Sequence, residues 1–187
     1  AYYSAYPMTP STSLMRFMAR YAEKAGIFVE QAEDEIAAIN SAIGASYAGI
    51  RAMTGTSGGG FSLMVEALGL AGVTETPLVV ANVQRPGPAT GLSTRTEQSD
   101  LLFVISAAQG EFPRMVIALR NTEDAFYQTA RAFNLADEYQ IPVILLSDEY
   151  LSDCRVTTKP YDFDKIIIER YWAEKPSYEG MFKRYKL

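Results

Sequence analysis

A chain of 187 residues, 48% of them hydrophobic and 21% charged, has the length for one domain with a sheet buried on both sides. Its formal net charge of -5 argues against nucleic acid as the main partner, because a phosphate backbone needs a basic face. No apolar run approaches the roughly 18 residues of a membrane span, and no signal-peptide pattern opens the chain, so a cytoplasmic location without a membrane partner is expected. The sequence has no histidine, which removes Ser-His-Asp triads, histidine proton shuttles and His-bearing zinc sites. A single cysteine, Cys154, permits no internal disulfide and cannot ligate an iron–sulfur cluster alone. It reads as an incidental thiol, so redox chemistry must draw on groups outside this chain.

Strand-like and helix-like segments alternate. Residues 2–5 form a short strand ending at Tyr6-Pro7. Its abrupt start, without methionine, suggests a piece of a longer chain. Ser11 or Ser13 can cap a helix reaching about Lys24, with Leu14, Phe17, Met18 and Tyr21 on one stripe. Gly26 stops it, and residues 27–29 read as a buried strand. A second helix opens with Glu33, Asp34 and Glu35, acids that suit the positive end of a helix dipole, and runs to about Tyr47. Residues 51–56 form a strand, residues 61–70 a helix and residues 78–80 a buried strand. A polar stretch from 84 to 98 precedes 100–105. Residues 122–139 give the most secure helix, and residues 143–146 close the series as a strand. The far end, 171–187, is aromatic and charged without helical or alternating order. This pattern predicts an α/β domain, a mostly parallel sheet with helices on both faces, over residues 1–153. Residues 154–187 read as a linker or the start of a following domain.

Parallel sheets bind ligands at the carboxyl ends of their strands, a rule that selects four loops: 6–11, 31–35, 56–60 and 84–98. In YPMTPS, two prolines around Thr9 stiffen the backbone and fix the direction of its hydroxyl; a rigid turn capped by Ser11 is the plainer reading. Glu35 precedes Ile36-Ala37-Ala38, which suggests desolvation, and a desolvated carboxyl can share a proton with a ring nitrogen. A helix-start acid is the alternative. TSGGGFS lacks the Gly-Lys-Ser/Thr of a phosphate loop and the spacing of GxGxxG. Its amides can hold an anion or a polar ring edge, although close backbone packing explains the glycines more simply. The stretch VQRPGPATGLSTRTEQ is long for a compact domain unless functional. It offers Arg85 and Arg95 for bidentate carboxylate recognition and Thr90, Thr94 and Thr96 as hydroxyls; a solvated surface loop is the other reading.

The order of YPMTPS, QAEDEIAAINSAIGASYAG, TSGGGFSLMVEALGLA, VQRPGPATGLSTRTEQSDLL, GEFPR and AFNLADEYQIPVILLSD resembles the alpha subunits of 2-oxoacid:ferredoxin oxidoreductases, from about Tyr6 to Leu151. The resemblance implies the pyrimidine-type domain of a thiamine diphosphate fold working as half a site. It further implies a beta subunit that supplies the diphosphate and Mg2+ site and a 4Fe-4S cluster, with CoA taking the acyl group and electrons leaving to ferredoxin. No metal ligand is then expected on this chain. Glu35 resembles the catalytic, cofactor-binding glutamate that hydrogen-bonds the pyrimidine nitrogen. Thr9 resembles the threonine of YPITPS near the substrate carboxylate and keto oxygen. Arg85 and Thr90 resemble the substrate-binding pair of VQRGGPST.

Three departures stand out. Met8 replaces isoleucine, Gly59 replaces proline in TSGPG, and Pro86 replaces glycine after the arginine, a change that can re-aim Arg85. The implied activity is CoA-dependent oxidative decarboxylation of a 2-oxoacid such as 2-oxoglutarate or pyruvate. A thiamine enzyme of the transketolase or 2-oxoacid dehydrogenase type, and a non-catalytic interaction subunit, are the competing readings.

Overall fold

The structure, a computed structural model, describes residues 1–172 and Tyr185. Its strands are β1 (Tyr2–Ala5), β2 (Phe28–Gln31), β3 (Ala52–Thr56), β4 (Leu78–Gln84), β5 (Met115–Ala118) and β6 (Pro142–Asp148). The helices are α1 (Thr12–Ala25), α2 (Glu35–Tyr47), α3 (Gly58–Val73), α4 (Leu101–Ser106), α5 (Thr122–Tyr139) and α6 (Glu149–Asp153). The strands form one sheet in the order β2-β1-β3-β4-β6-β5, and every neighbouring pair is parallel.

Helices cover both faces, as the alternation of strands and helices predicts. Successive strand residues point to opposite faces, so Val80, Ile144 and Leu146 join one core cluster while Val79, Val143 and Leu145 join the other. The first cluster is closed by Ile39 of α2, by Phe61, Met64 and Leu68 of α3 and by Val104 of α4. The second is closed by Ala132 and Ala136 of α5, with Leu14 and Met18 of α1 against it. Phe61 and Met64 are fully buried, and each contributes about 2 kcal/mol of transfer free energy. Every residue of β4 is buried, which is why its apolar run is continuous rather than alternating.

Local physics accounts for the differences from expectation. Residues 27–29 are not a buried strand: β2 is a sheet edge, paired only with β1, and Phe28 is 77% exposed. An apolar run is buried only where neighbours exist on both sides. β5 was not expected; it lies on the opposite edge, with three residues half-buried and Ala118 exposed. Helix α3 begins at Gly58, so the glycine run is the first turn of the helix and not a loop before it. Ser11 stands at the start of α1 but makes no side-chain cap bond, and the Ser13 hydroxyl donates back to the Pro10 carbonyl at 3.1 Å. Of the acidic trio, Asp34 is the cap, accepting from the Ala37 amide at 2.8 Å, and Glu35 is the first residue of α2.

After α6 the chain returns along α5. Tyr161 stacks on Phe126 with ring centroids 4.4 Å apart, and the Asp162 amide donates to the Tyr127 hydroxyl at 3.0 Å. Further on, Asp137 holds Arg51 at 2.9 Å and Arg170 at 3.4 Å. Most of the stretch expected to lack order, 173–184 and 186–187, lies outside the described residues. Among the described residues no helix is long and apolar enough to cross a membrane.

Candidate cofactor and substrate site

In the parallel sheet, the loops after β1, β2, β3 and β4 all leave from one edge. The chain passes from β1 to α1 on one face and from β3 to α3 on the other, although β1 and β3 are neighbours. Their outgoing loops therefore diverge and leave a crevice between them, the switch point at which such sheets receive ligands. YPMTPS forms one wall and TSGGG the other.

Glu35 lies beneath the second wall. It is 3% exposed, and its Oε1 is buried with no hydrogen-bond partner from the protein. Gly60 makes the room: a Cβ there would overlap Thr56 Oγ1 and stand 2.6 Å from Glu35 Oε1. Any side chain at this position would displace the carboxyl, so the glycine serves close approach. A buried polar oxygen without a partner is costly and calls for an explanation. An incoming ring N–H would satisfy it, so the residues present fit a pyrimidine edge.

The glycine turn has a second neighbour. A Cβ on Gly58 would stand 2.7 Å from Asp100 Oδ2, so the carboxylate of Asp100 lies against the start of α3. Asp100 is held by the Asn82 amide at 3.0 Å, and its own amide donates to Gln84 Oε1 at 2.9 Å. The positive end of α3 thus already faces a carboxylate of the protein.

Arg85 and Thr90 line one cavity of about 400 Å³, together with Met8, Gly58 and Gly59. Thr90 is exposed, whereas Arg85 is 6% exposed and its Nη1 donates to the Thr9 carbonyl. The guanidinium thus ties the loop after β4 to the loop after β1, and its Nε is buried without a partner. Thr9 enters through its backbone; its side chain is exposed. Glu35 does not line this cavity, but the glycine turn joins the two: Gly58 and Gly59 face the cavity while Gly60 touches Glu35. Cys154 is half-buried and bonds the Leu151 carbonyl at 3.2 Å.

Sequence reasoning missed the supporting residues Asn82, Gln84, Asp100, Asp148 and Glu149. Asp148 accepts from the Gln98 amide and caps α6 through the Leu151 amide at 2.8 Å. Applying the carboxyl-end rule to β6 as well would have selected 147–153 as a fifth loop.

Fold and site together define a parallel α/β domain with a buried carboxylate at its switch point. Residues 1–183 match the family described as "Pyruvate flavodoxin/ferredoxin oxidoreductase, thiamine diP-bdg", and the chain belongs to that family. It is 44% identical, over 98% of its length, to 2-oxoacid:ferredoxin oxidoreductase 1, subunit alpha, from Aeropyrum pernix. It is 41% identical, over 94% of its length, to 2-oxoglutarate synthase subunit KorA from Methanocaldococcus jannaschii. A solved structure of 2-oxoglutarate:ferredoxin oxidoreductase from Magnetococcus marinus, with 2-oxoglutarate, coenzyme A and succinyl-CoA bound, superposes with a TM-score of 0.79 at 48% identity over 81% of this chain. The chain spans 30% and 48% of the two curated relatives and 26% of the solved chain.

Proposed function

We propose that this chain is the pyrimidine-binding part of the alpha subunit of a 2-oxoacid:ferredoxin oxidoreductase. The activity is CoA-dependent oxidative decarboxylation of a 2-oxoacid, such as 2-oxoglutarate or pyruvate, to acyl-CoA with electrons passed to ferredoxin. The observation that carries this reading is the partnerless, buried Oε1 of Glu35 beside Gly60 at the switch point. When bound, thiamine diphosphate supplies the nucleophilic carbon and the electron sink.

The chain's own residues do the positioning. Glu35, 3% exposed and with its Oε1 unpartnered, would hydrogen-bond the pyrimidine nitrogen. Arg85 offers a fixed guanidinium to the substrate carboxylate, with the Thr90 hydroxyl on the same cavity and the Thr9 loop bracing Arg85 from the other side. A beta subunit completes the half-site with the diphosphate and Mg2+ site and a 4Fe-4S cluster. The names of the relatives support this reading over a lipoamide-linked or non-catalytic one.

The test is viologen reduction by the full-length subunit with its beta subunit, thiamine diphosphate, magnesium and CoA across a panel of 2-oxoacids. Activity that requires both subunits and CoA is the expected result, and the panel names the substrate. Silence from an assembled, cofactor-loaded complex contradicts the proposal.

A further inference from the structure

Strand register puts a second ionisable residue beside Arg85. Gln84 of β4 pairs with Asp148 of β6, so Arg85 and Glu149 leave the sheet side by side at its carboxyl edge. Both are buried, Glu149 at 7% exposure. Arg85 Nε and Glu149 Oε2 each lack a hydrogen-bond partner, and among the described residues no ion pair within 4.0 Å joins Glu149 to an arginine. Burial pushes the Glu149 carboxyl up from its ordinary value; Asp153 of α6 adds to this by repulsion, and Arg95 and Arg85 oppose it by attraction. Of the two attractions on Glu149 that of Arg95 is the larger, and register sets Arg85 beside Glu149 without a bond between them.

We propose that Glu149 is a positioning residue that acts through Arg85, a fixed counter-charge that weakens the cavity's hold on an anionic substrate. This inference rests on the reading that Arg85 receives the substrate carboxylate. A carboxylate entering the cavity meets a guanidinium whose field is already partly offset, and in a buried setting salt screens that offset only weakly. An open gap also leaves Arg85 free to bond the newcomer, which a closed ion pair would prevent. The plainer role for Glu149, an acid at the start of a short helix, predicts an effect on stability alone.

The test compares wild type, Glu149→Gln and Glu149→Asp in the assembled complex loaded with thiamine diphosphate and magnesium. Calorimetry on the same complexes prepared without thiamine diphosphate, which cannot decarboxylate the probe, reads the dissociation constant of each 2-oxoacid of the panel, and steady-state assays on the loaded complexes read KM and kcat for the substrate that the panel identifies. Glu149→Gln is expected to tighten binding and lower KM by about fivefold, the effect of one removed charge interaction, with kcat within about twofold. Glu149→Asp, which keeps the charge, returns both toward wild type. Glu149→Ala provides the same comparison if the glutamine variant does not assemble. Unchanged or weaker binding in the charge-removed variants overturns the proposal, even where thermal stability falls. A wild-type complex that binds a 2-oxoacid of the panel but turns over none of them would sink the proposed activity and leave the Glu149 comparison readable. Absence of binding of every 2-oxoacid of the panel in wild type would sink both.

Discussion

Gly60 gives Glu35 its place. The carboxyl and the Thr56 hydroxyl fill the space that a side chain at Gly60 would need. Gly60→Ala is therefore an overpacking change beside a buried polar group, and it should lower unfolding stability by about 1–3 kcal/mol, read by denaturant titration. A variant as stable as wild type would show that Glu35 has another place to go. The sequence reading favoured close packing for these glycines, and that holds at Gly60. It did not anticipate Asp100, because the contact with Gly58 bridges the long loop after β4, and no local pattern encodes where such a loop returns. Glu149 was missed for a different reason. Its neighbours Asp148 and Tyr150 look like ordinary polar punctuation until the register with Gln84 and Arg85 is known.

Among the elements, α5 shows how far local signals carry. Asn121 caps it by accepting from the Asp124 amide at 2.8 Å, a contribution of about 1 kcal/mol, and its alternating apolar and polar positions made both ends legible. At its first turn, the Arg120 side chain donates to Asp124 at 2.8 Å and the Arg120 amide at 3.1 Å. The hydrogen bond from Arg120 is the main reason the Asp124 carboxyl is held below its ordinary value, despite an opposing effect of burial. A depressed carboxyl pKa contributes stability that is present above the unfolded aspartate value of about 3.9 and is lost as pH falls through the folded value. Asp124→Asn should therefore flatten the pH dependence of unfolding below about pH 4, measured by thermal melts across an acid series. An unchanged acid limb would remove Asp124 from the account. The edge strands β2 and β5 were less legible because each has a single pairing neighbour. Burial there depends on position in the sheet, which sequence order does not reveal.

Across the whole molecule, the motifs that lie far apart in sequence converge because a parallel sheet sends every carboxyl end to one edge. That convergence was legible: the sequence selects four of the six loops at the carboxyl edge, those after β1, β2, β3 and β4, and omits those after β5 and β6. Its internal arrangement was not, since the link from Arg85 to the Thr9 carbonyl joins residues 76 positions apart. The segment after α6 strengthens the opposite, amino edge of the sheet, where Asp137 gathers Arg51 and Arg170 and the Asn134 amide donates to the Ile167 carbonyl at 2.6 Å. The site edge is left open, with Ile36, Leu63 and Leu102 exposed on α2, α3 and α4. With the buried carboxyls of Glu35 and Glu149 and the buried guanidinium of Arg85, this edge is proposed to be half of a site whose chemistry appears on assembly with the beta subunit.

The measurement that bears most directly on this account is viologen reduction by the assembled complex carrying Glu35→Gln, beside wild type, at saturating thiamine diphosphate, magnesium, CoA and 2-oxoacid. The account predicts an intact complex whose turnover falls by at least about a hundredfold, the effect of losing a positioned proton-transfer partner. Turnover equal to wild type in that variant would contradict it.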